Sequence, residues 1–203
     1  MNNVFLRGVI TDIEPSHVID DIEFSKAKLI CKRPNGKEDM INLRFKAFSN
    51  TPKEDTEITI EGNLRSYSYR ASEDKNKVLL YVFTYFDAPE EEHEGNNRVE
   101  LDGRICKINE LRTTQNGKHN IHFILANNII NHNNSKRLNS YIPCIAWGKL
   151  AKDLSKLTVN ANLKLIGEIH AREHKKVHPD GTVEFRVAHE LVVNSFEVIS
   201  NAV

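Results

Sequence analysis

The chain has 203 residues, of which 28% are charged and 39% hydrophobic, and its formal net charge is zero, a composition typical of a globular protein rather than a disordered one. No apolar run approaches the ~20 residues of a membrane helix, and the N-terminal segment lacks the pattern of a signal peptide. Three scattered cysteines are typical of reduced thiols rather than of a disulfide framework. We therefore expect a cytoplasmic protein.

The neutral total conceals two halves of opposite charge. Residues 1–95 carry 13 Lys and Arg against 18 Asp and Glu, whereas residues 96–203 carry 15 against 10. Five acidic residues of the first half lie in 87–95, a segment typical of a solvated linker. Without this segment the first half is neutral, so the second half is the stronger candidate for contact with a polyanion.

Alternation of apolar and polar residues predicts five strands in each half. In chain order, the strands are expected at 3–13, 24–32, 40–48, 57–69 and 78–86, and then at 98–108, 120–130, 140–147, 162–174 and 183–199. Turn sequences such as RPNGKE and TQNGKH separate them. A helical spacing of leucines occurs only in GKLAKDLSKL, between the third and fourth strands of the second half.

Three segments of the first half recur in the same order in the second half, at offsets that grow from 95 to 99 to 105. The matching pairs are 3–13 with 98–108, 44–50 with 143–149, and 58–70 with 163–175. Loop insertions in a duplicated domain would produce such a drift. At the middle offset, Ala47 and Phe48 align with Ala146 and Trp147.

Five strands with a short helix or turn between the third and fourth are the plan of the OB-fold, a small Greek-key barrel. Each half has enough residues for one such barrel. The sequence therefore predicts an all-β protein of two tandem five-stranded OB-folds. We expect the first OB-fold at 1–88, an acidic linker at 89–96 and the second OB-fold at 97–203.

Parity along the third strands separates core from surface, because strand side chains alternate between two faces. In the second half, a small apolar core face is expected at Ile142, Cys144 and Ala146, with Tyr141, Pro143, Ile145 and Trp147 on the opposite face. In the first half, the face opposite the core carries Arg44, Lys46 and Phe48. Aromatic rings beside cations suit unstacked nucleic-acid bases and their phosphates.

The fourth strands show the same mixture of rings and cations. The predicted nucleic-acid-binding residues are Arg44, Lys46, Phe48, Arg65, Tyr67, Tyr69, Arg70, Arg104, Tyr141, Trp147, Lys149, Arg172, His174 and Lys175. By composition alone, a single tryptophan is more often a core residue, and Tyr67 and Tyr69 are equally compatible with cross-strand packing.

The sequence contains few of the residue patterns that are typical of catalytic or metal-binding sites. No nucleophile elbow, phosphate-binding loop or zinc-protease motif is present. On a strand, His170 and His174 would lie ~13 Å apart, too far to share one metal ion. We expect neither an enzyme nor a bound cofactor.

The segments LRTTQNGKHNIHFILANN, YIPCIAWGKLAKDL and LIGEIHAREH resemble the bacterial single-stranded DNA-binding protein family over nearly all of 97–199. The first half resembles it more faintly, through NNVFLRGVI and ITIEGNLRSYSYR. The resemblance implies a protein that coats single-stranded DNA during replication, recombination or repair, in association with the nucleoid. It implies base-stacking positions at Tyr141, Trp147, His174, Phe48 and Tyr69, with His174 standing where the family usually has tryptophan.

The same resemblance bears on assembly and partners. Family members function with four OB-folds, so two per chain imply a homodimer. The chain ends at SFEVISNAV, without the acidic tail usual in the family, and is in this respect similar to primosomal replication protein N. A second hypothesis follows, in which the protein is an adaptor for replication and restart proteins and its nearly neutral first OB-fold mainly dimerises.

Overall fold

A computed structural model describes residues 1–47, 51–72, 75–86, 95–130, 137–177 and 181–199. The described chain forms eleven strands and one short helix. They are β1 (Asn2–Ile19), β2 (Ile22–Lys32), β3 (Glu38–Lys46), β4 (Glu57–Ser72), β5 (Lys75–Thr84), β6 (Asn97–Ile108), β7 (Arg112–Thr113), β8 (His119–Ile130), β9 (Arg137–Trp147), α1 (Gly148–Leu154), β10 (Asn162–Val177) and β11 (Val183–Ile199). No helix in these ranges is long and apolar enough to cross a membrane.

The first five strands close into a barrel. β1 pairs antiparallel with both β2 and β4. β2 in turn pairs antiparallel with β3, and β4 pairs antiparallel with β5. A parallel pairing of β3 with β5, with Leu43 opposite Val82, completes the circuit. The apolar residues of the alternating pattern point inward, so that Leu6, Leu43 and Phe45 are fully buried. Burial of one face of each strand stabilises this closed arrangement.

The second barrel repeats this circuit with β6, β8, β9, β10 and β11. Its closing parallel pair joins β9 to β11, with Cys144 opposite Leu191, and α1 lies between β9 and β10, where it buries Ala151 and Leu154. The predicted core face of Ile142, Cys144 and Ala146 is buried. The predicted fold class, two tandem OB-folds with a helix or turn between the third and fourth strands, is confirmed.

A pseudo-twofold axis relates the two barrels. β1 and β6 pair antiparallel with Val4 directly opposite its own counterpart Val99. The hydrogen bonds beside this axis are duplicated: the Asn2 amide bonds both backbone groups of Leu64, and the Asn97 amide bonds both backbone groups of Ile169. The two halves that resemble each other in sequence therefore also share the same strand register and the same side-chain hydrogen bonds at this axis.

Strand pairing corrects the expected alignment of the third strands. Leu43 pairs with Ala27 and Val82, and Cys144 pairs with Phe123 and Leu191. These ladders make Leu43 equivalent to Cys144, an offset of 101 rather than the expected 99. The residue equivalent to Trp147 is therefore Lys46 instead of Phe48. The shift is even, so it preserves the parity on which the sequence argument depended.

The glycines aligned in the two fourth strands occupy equivalent sites of close backbone approach. A Cβ atom at Gly62 would lie 2.4 Å from the carbonyl oxygen of Phe83, and one at Gly167 would lie 2.3 Å from that of Val192. Only glycine permits the fifth strand to approach the fourth this closely. This requirement gives a physical reason for the glycine that both halves of the sequence share.

Candidate nucleic-acid interface

The outer face of the first barrel carries cations between aromatic rings. The guanidinium carbon of Arg44 lies 4.9 Å from the ring centroid of Tyr81 and 5.9 Å from that of Tyr67. The ring of Tyr67 stacks on that of Tyr69 at 6.2 Å with an interplanar angle of 10°. These two tyrosines are 53% and 39% exposed. Exposed, parallel rings beside a cation offer stacking surfaces for bases and a charge for phosphates.

The same face continues toward β1 and β2. The guanidinium carbon of Arg65 lies 4.1 Å above the ring of Phe83, which contacts Tyr85 edge to face at 5.2 Å and Phe24 at 6.3 Å. Burial lowers the pKa of Arg65 from its ordinary value, against the opposing effect of the Tyr81 and Tyr85 hydroxyls. We call this face the aromatic strip, comprising Phe24, Arg44, Arg65, Tyr67, Tyr69, Tyr81, Phe83 and Tyr85.

Half of the strip was missing from the residues predicted from the sequence. Phe24, Tyr81, Phe83 and Tyr85 belong to β2, to β5 and to the residue just after β5. The alternation in YVFTYF puts Tyr81, Phe83 and Tyr85 on one face, where Phe83 is buried, and the buried Val82 and Thr84 on the other. Applying parity to the fifth strand as well as to the third would have found these three rings, and applying it to the second would have found Phe24.

Trp147 is half-buried at the end of β9, between the core and exposed interpretations of the sequence. The ammonium nitrogen of Lys118 lies 5.0 Å from the centroid of the Trp147 ring, a cation–π contact that was not predicted from the sequence.

Tyr141, earlier in β9, is 46% exposed and donates its backbone N–H to the Ser66 hydroxyl of the first barrel at 2.7 Å. Ile145 was expected on the outer face but is buried.

The second barrel lacks the rings of the aromatic strip at equivalent positions. Ladder pairing makes Ile145 equivalent to Arg44 and Glu190 equivalent to Tyr81. The Glu190 carboxylate lies 3.6 Å from Arg172 Nε and 3.9 Å from His122 Nδ1. A carboxylate therefore occupies the position that an aromatic ring holds in the first barrel. Net charge favours the second half for polyanion contact, and that expectation stays a prediction. The second barrel has its own pairing of a ring with a cation, Trp147 with Lys118, whereas the aromatic strip lies on the first barrel.

The remaining predicted residues lie at several places. Arg104 in β6, Lys149 in α1 and Lys175 in β10 are exposed, and Lys46 is half-buried in β3, paired with Phe24 in the β2 ladder. Phe48 lies outside the described residues, as do the side chains of Arg70 and His174. The structure thus brings Arg44, Arg65, Tyr67 and Tyr69 into one surface.

Two of the three cysteine thiols, Cys31 and Cys144, are free and buried. Burial raises the pKa of Cys31 to about 12 and raises that of the fully buried Cys144 as well, so both remain neutral core residues. Among the described residues, no three His, Cys, Asp or Glu side chains are placed to hold a metal ion.

Comparison with known proteins identifies related sequences and folds. The model of the single-strand binding protein family matches residues 96–199. Two structures of the single-stranded DNA-binding protein from Thermus aquaticus, the wild type and a deletion mutant, share the fold, each with a TM-score of 0.72 and 19% identity. Both matches cover 100% of this chain. They cover 94% of the wild-type chain and 96% of the mutant chain. The protein priB from Ralstonia solanacearum covers 51% of this chain and 98% of its own, at 14% identity and a TM-score of 0.39. No curated protein matches the chain.

Proposed function

The chain belongs to the single-strand binding protein family, whose model matches half of its length, and we propose on this basis that it binds single-stranded DNA without catalysing a reaction. Rings of the aromatic strip stack on unpaired bases, and Arg44, Arg65 and neighbouring lysines contact phosphates. Stacking on such rings is worth ~1–3 kcal/mol per base. Binding is largely independent of sequence because every base has a π-face.

The observation that carries this proposal is the placement of Arg44 between Tyr67 and Tyr81, with Tyr69 stacked beside them. Rings that merely filled the core would be buried, whereas Tyr67 and Tyr69 are exposed. This arrangement favours a role in binding over cross-strand packing alone.

The direct test is titration of the full chain with end-labelled oligo-dT at several salt concentrations. We expect tight binding whose log affinity falls linearly with log salt, because bound phosphates release counterions. Replacing Tyr67 and Tyr69 together by alanine removes two stacking surfaces and should weaken binding ~30-fold or more. Val159→Ala, an exposed apolar substitution in the turn that follows α1, serves as the control. Unchanged affinity of the double variant would contradict the proposed platform.

We further propose the domain division 1–88, 89–96 and 97–203, with residues 87–94 of the linker region outside the described part of the chain. Two such chains together supply four OB-folds, the number implied by the family. The expected solution species is a homodimer with twice the 23.3-kDa chain mass. Light scattering coupled to size exclusion tests this, and a monomer at working concentrations would contradict it.

The cellular role that we propose is protection of single-stranded DNA during replication, recombination or repair in the bacterial cytoplasm. The alternative adaptor hypothesis makes the first OB-fold a dimerisation module without DNA contact. The aromatic strip argues against it, because the exposed rings lie on that barrel. Loss of DNA binding in the Tyr67 and Tyr69 double variant, with the oligomeric state unchanged, would separate the two hypotheses.

A further inference from the structure

We propose that a cavity between the two barrels is a base-reading pocket, which receives one unstacked base of the bound strand and distinguishes bases by their edges. This inference rests on the proposed single-stranded DNA binding and goes beyond it. A stacking platform alone is tolerant of sequence. The pocket adds a preference at one position of an otherwise sequence-independent complex.

The cavity has a volume of about 1010 Å³ and is lined by both barrels. Its first wall is the β1–β2 end of the aromatic strip, with Phe83, Tyr85 and Arg65. Its second wall is the β8–β9 arm of the other barrel, with Asn128 and Leu138. The volume is at the upper end of the range for small-molecule sites, ~300–1,000 Å³. The cavity is therefore large enough for a base together with its sugar and phosphate.

The first wall has the chemistry of a stacking site. Phe83 and Tyr85 meet edge to face, and the guanidinium of Arg65 covers the other part of the Phe83 ring. The Nε atom of Arg65 is buried and has no hydrogen-bond partner among the described residues. Lys46 also lines the cavity. Phe83 is buried beneath Arg65 and supports Tyr85, whose ring is 44% exposed. An exposed ring for a base and two cations for its phosphate thus face one space.

Five asparagines line the cavity, and their hydrogen bonds divide them into two groups. The Asn2 amide donates to Asn127 Oδ1 at 2.7 Å, and the Asn63 amide donates to the Asn2 carbonyl at 2.6 Å. These three are structural. Asn3 and Asn128 are exposed, and their side chains have no hydrogen bond to another described residue. Each presents a donor beside an acceptor, which is the pattern needed to pair with a base edge.

The pseudo-twofold axis provides an internal comparison. The equivalent cavity of the second barrel has a volume of about 310 Å³. There, Arg98, Glu168 and Asn194 occupy the positions of Asn3, Asn63 and Tyr85, and no described lining residue is aromatic. The Glu168 carboxylate accepts hydrogen bonds from Asn194 and contacts His170 at 3.0 Å. This cavity has a carboxylate in place of Asn63 and a short amide in place of the Tyr85 ring, so it offers no aromatic surface on which a base could stack. Base reading is therefore confined to one of the two cavities.

The experiment compares the affinities of the full chain for oligo-dT and oligo-dC of equal length. Thymine presents an acceptor where cytosine presents a donor, so a pocket that reads the edge distinguishes them. We expect the two affinities to differ about fivefold or more in the unchanged chain, and less than about twofold when Asn3→Ala and Asn128→Ala are combined, since each good amide–base pair is worth ~1–3 kcal/mol. Asn194→Ala, the same type of substitution at an exposed asparagine that lines the equivalent cavity, should preserve the difference.

The outcomes separate this inference from the function on which it rests. Oligonucleotide binding without any difference between dT and dC, or with the same difference in the double variant, overturns the base-reading pocket and leaves DNA binding intact. Absence of binding to both oligonucleotides overturns the proposed function itself. Thermal unfolding of the double variant provides the folding control, and an unchanged midpoint is expected because both asparagines are exposed.

Discussion

Arg44 lies with its guanidinium carbon 4.9 Å from the ring centroid of Tyr81, and their counterparts in the second barrel are Ile145 and Glu190. One fold, duplicated in one chain, therefore presents a cation against a ring on one barrel and an aliphatic residue near a carboxylate on the other. The two OB-folds have become chemically different at equivalent positions.

Replacing Arg44 by glutamine should weaken oligo-dT binding about tenfold at low salt, because it removes both a phosphate contact and the cation between two tyrosines. The slope of log affinity against log salt should become shallower by about one. Titration at four salt concentrations measures both quantities. Arg44→Lys keeps the charge and should preserve the slope, and an unaltered slope in Arg44→Gln would contradict the phosphate contact.

Replacing Glu190 by glutamine should strengthen DNA binding about two- to fivefold, since it removes a carboxylate from the surface that a polyanion approaches. The effect should shrink as salt increases, because salt screens charge interactions. The same titrations measure it. Glu197→Gln, another substitution in β11 at an exposed position, tests whether general loss of negative charge is enough; an equal gain there would contradict a local role for Glu190.

The fluorescence of Trp147 should change when oligo-dT binds, because the ring is half-buried at the end of β9 and a stacked base would alter its surroundings. Lys118, 5.0 Å from the ring centroid, should contribute to the salt dependence of this signal. Emission is followed during titration of the full chain and of Lys118→Ala. Saturating binding without any change in emission would remove Trp147 from the DNA-binding surface.

Replacing Asp39 by alanine should destabilise the protein by ~3–5 kcal/mol, since Asp39 is fully buried and removal of one member of a buried pair leaves the other unpaired. Its carboxylate contacts Arg33 and accepts the backbone N–H of Ala171 from the second barrel at 2.7 Å. Chemical denaturation measures the free energy of unfolding.

The control for Asp39 is its pseudo-twofold counterpart, Ser140. The Ser140 hydroxyl accepts the backbone N–H of Ser66 at 3.4 Å, a long neutral hydrogen bond. Ser140→Ala should therefore lower the free energy of unfolding by only ~1 kcal/mol. Combining Asp39→Ala with Arg33→Met should recover part of the lost stability, because it removes the partly buried Arg33 guanidinium that has lost its carboxylate partner. Equal effects of Asp39→Ala and Ser140→Ala would contradict a special contribution of the Arg33–Asp39 ion pair and of the hydrogen bond that Asp39 accepts from the other barrel.

The alternation of apolar and polar residues predicted the strands well, because alternation depends only on residues that are neighbours in the chain. The recurring segments likewise predicted the duplication. The strands observed differ from those predicted by a few residues at most ends, with longer hairpin arms such as β10, which continues to Val177. Parity placed Ile142, Cys144 and Ala146 in the core, where they are buried. It failed for Ile145, which parity places on the outer face but which is buried, because parity fixes the face on which a side chain lies and not how much of it is covered.

The sequence by itself determined an all-β protein of two OB-folds, since a period of two and recurrent glycines are readable without knowing which strands pair. Only the tertiary structure decided that Arg44 meets Tyr81, 37 positions later in the chain, and that Lys46 rather than Phe48 corresponds to Trp147. The physical reason is that side-chain parity is a local property of a strand, whereas register is set by hydrogen bonding between distant strands. The aromatic strip and the cavity between the barrels form because the register of strand pairing brings residues from distant parts of the chain together.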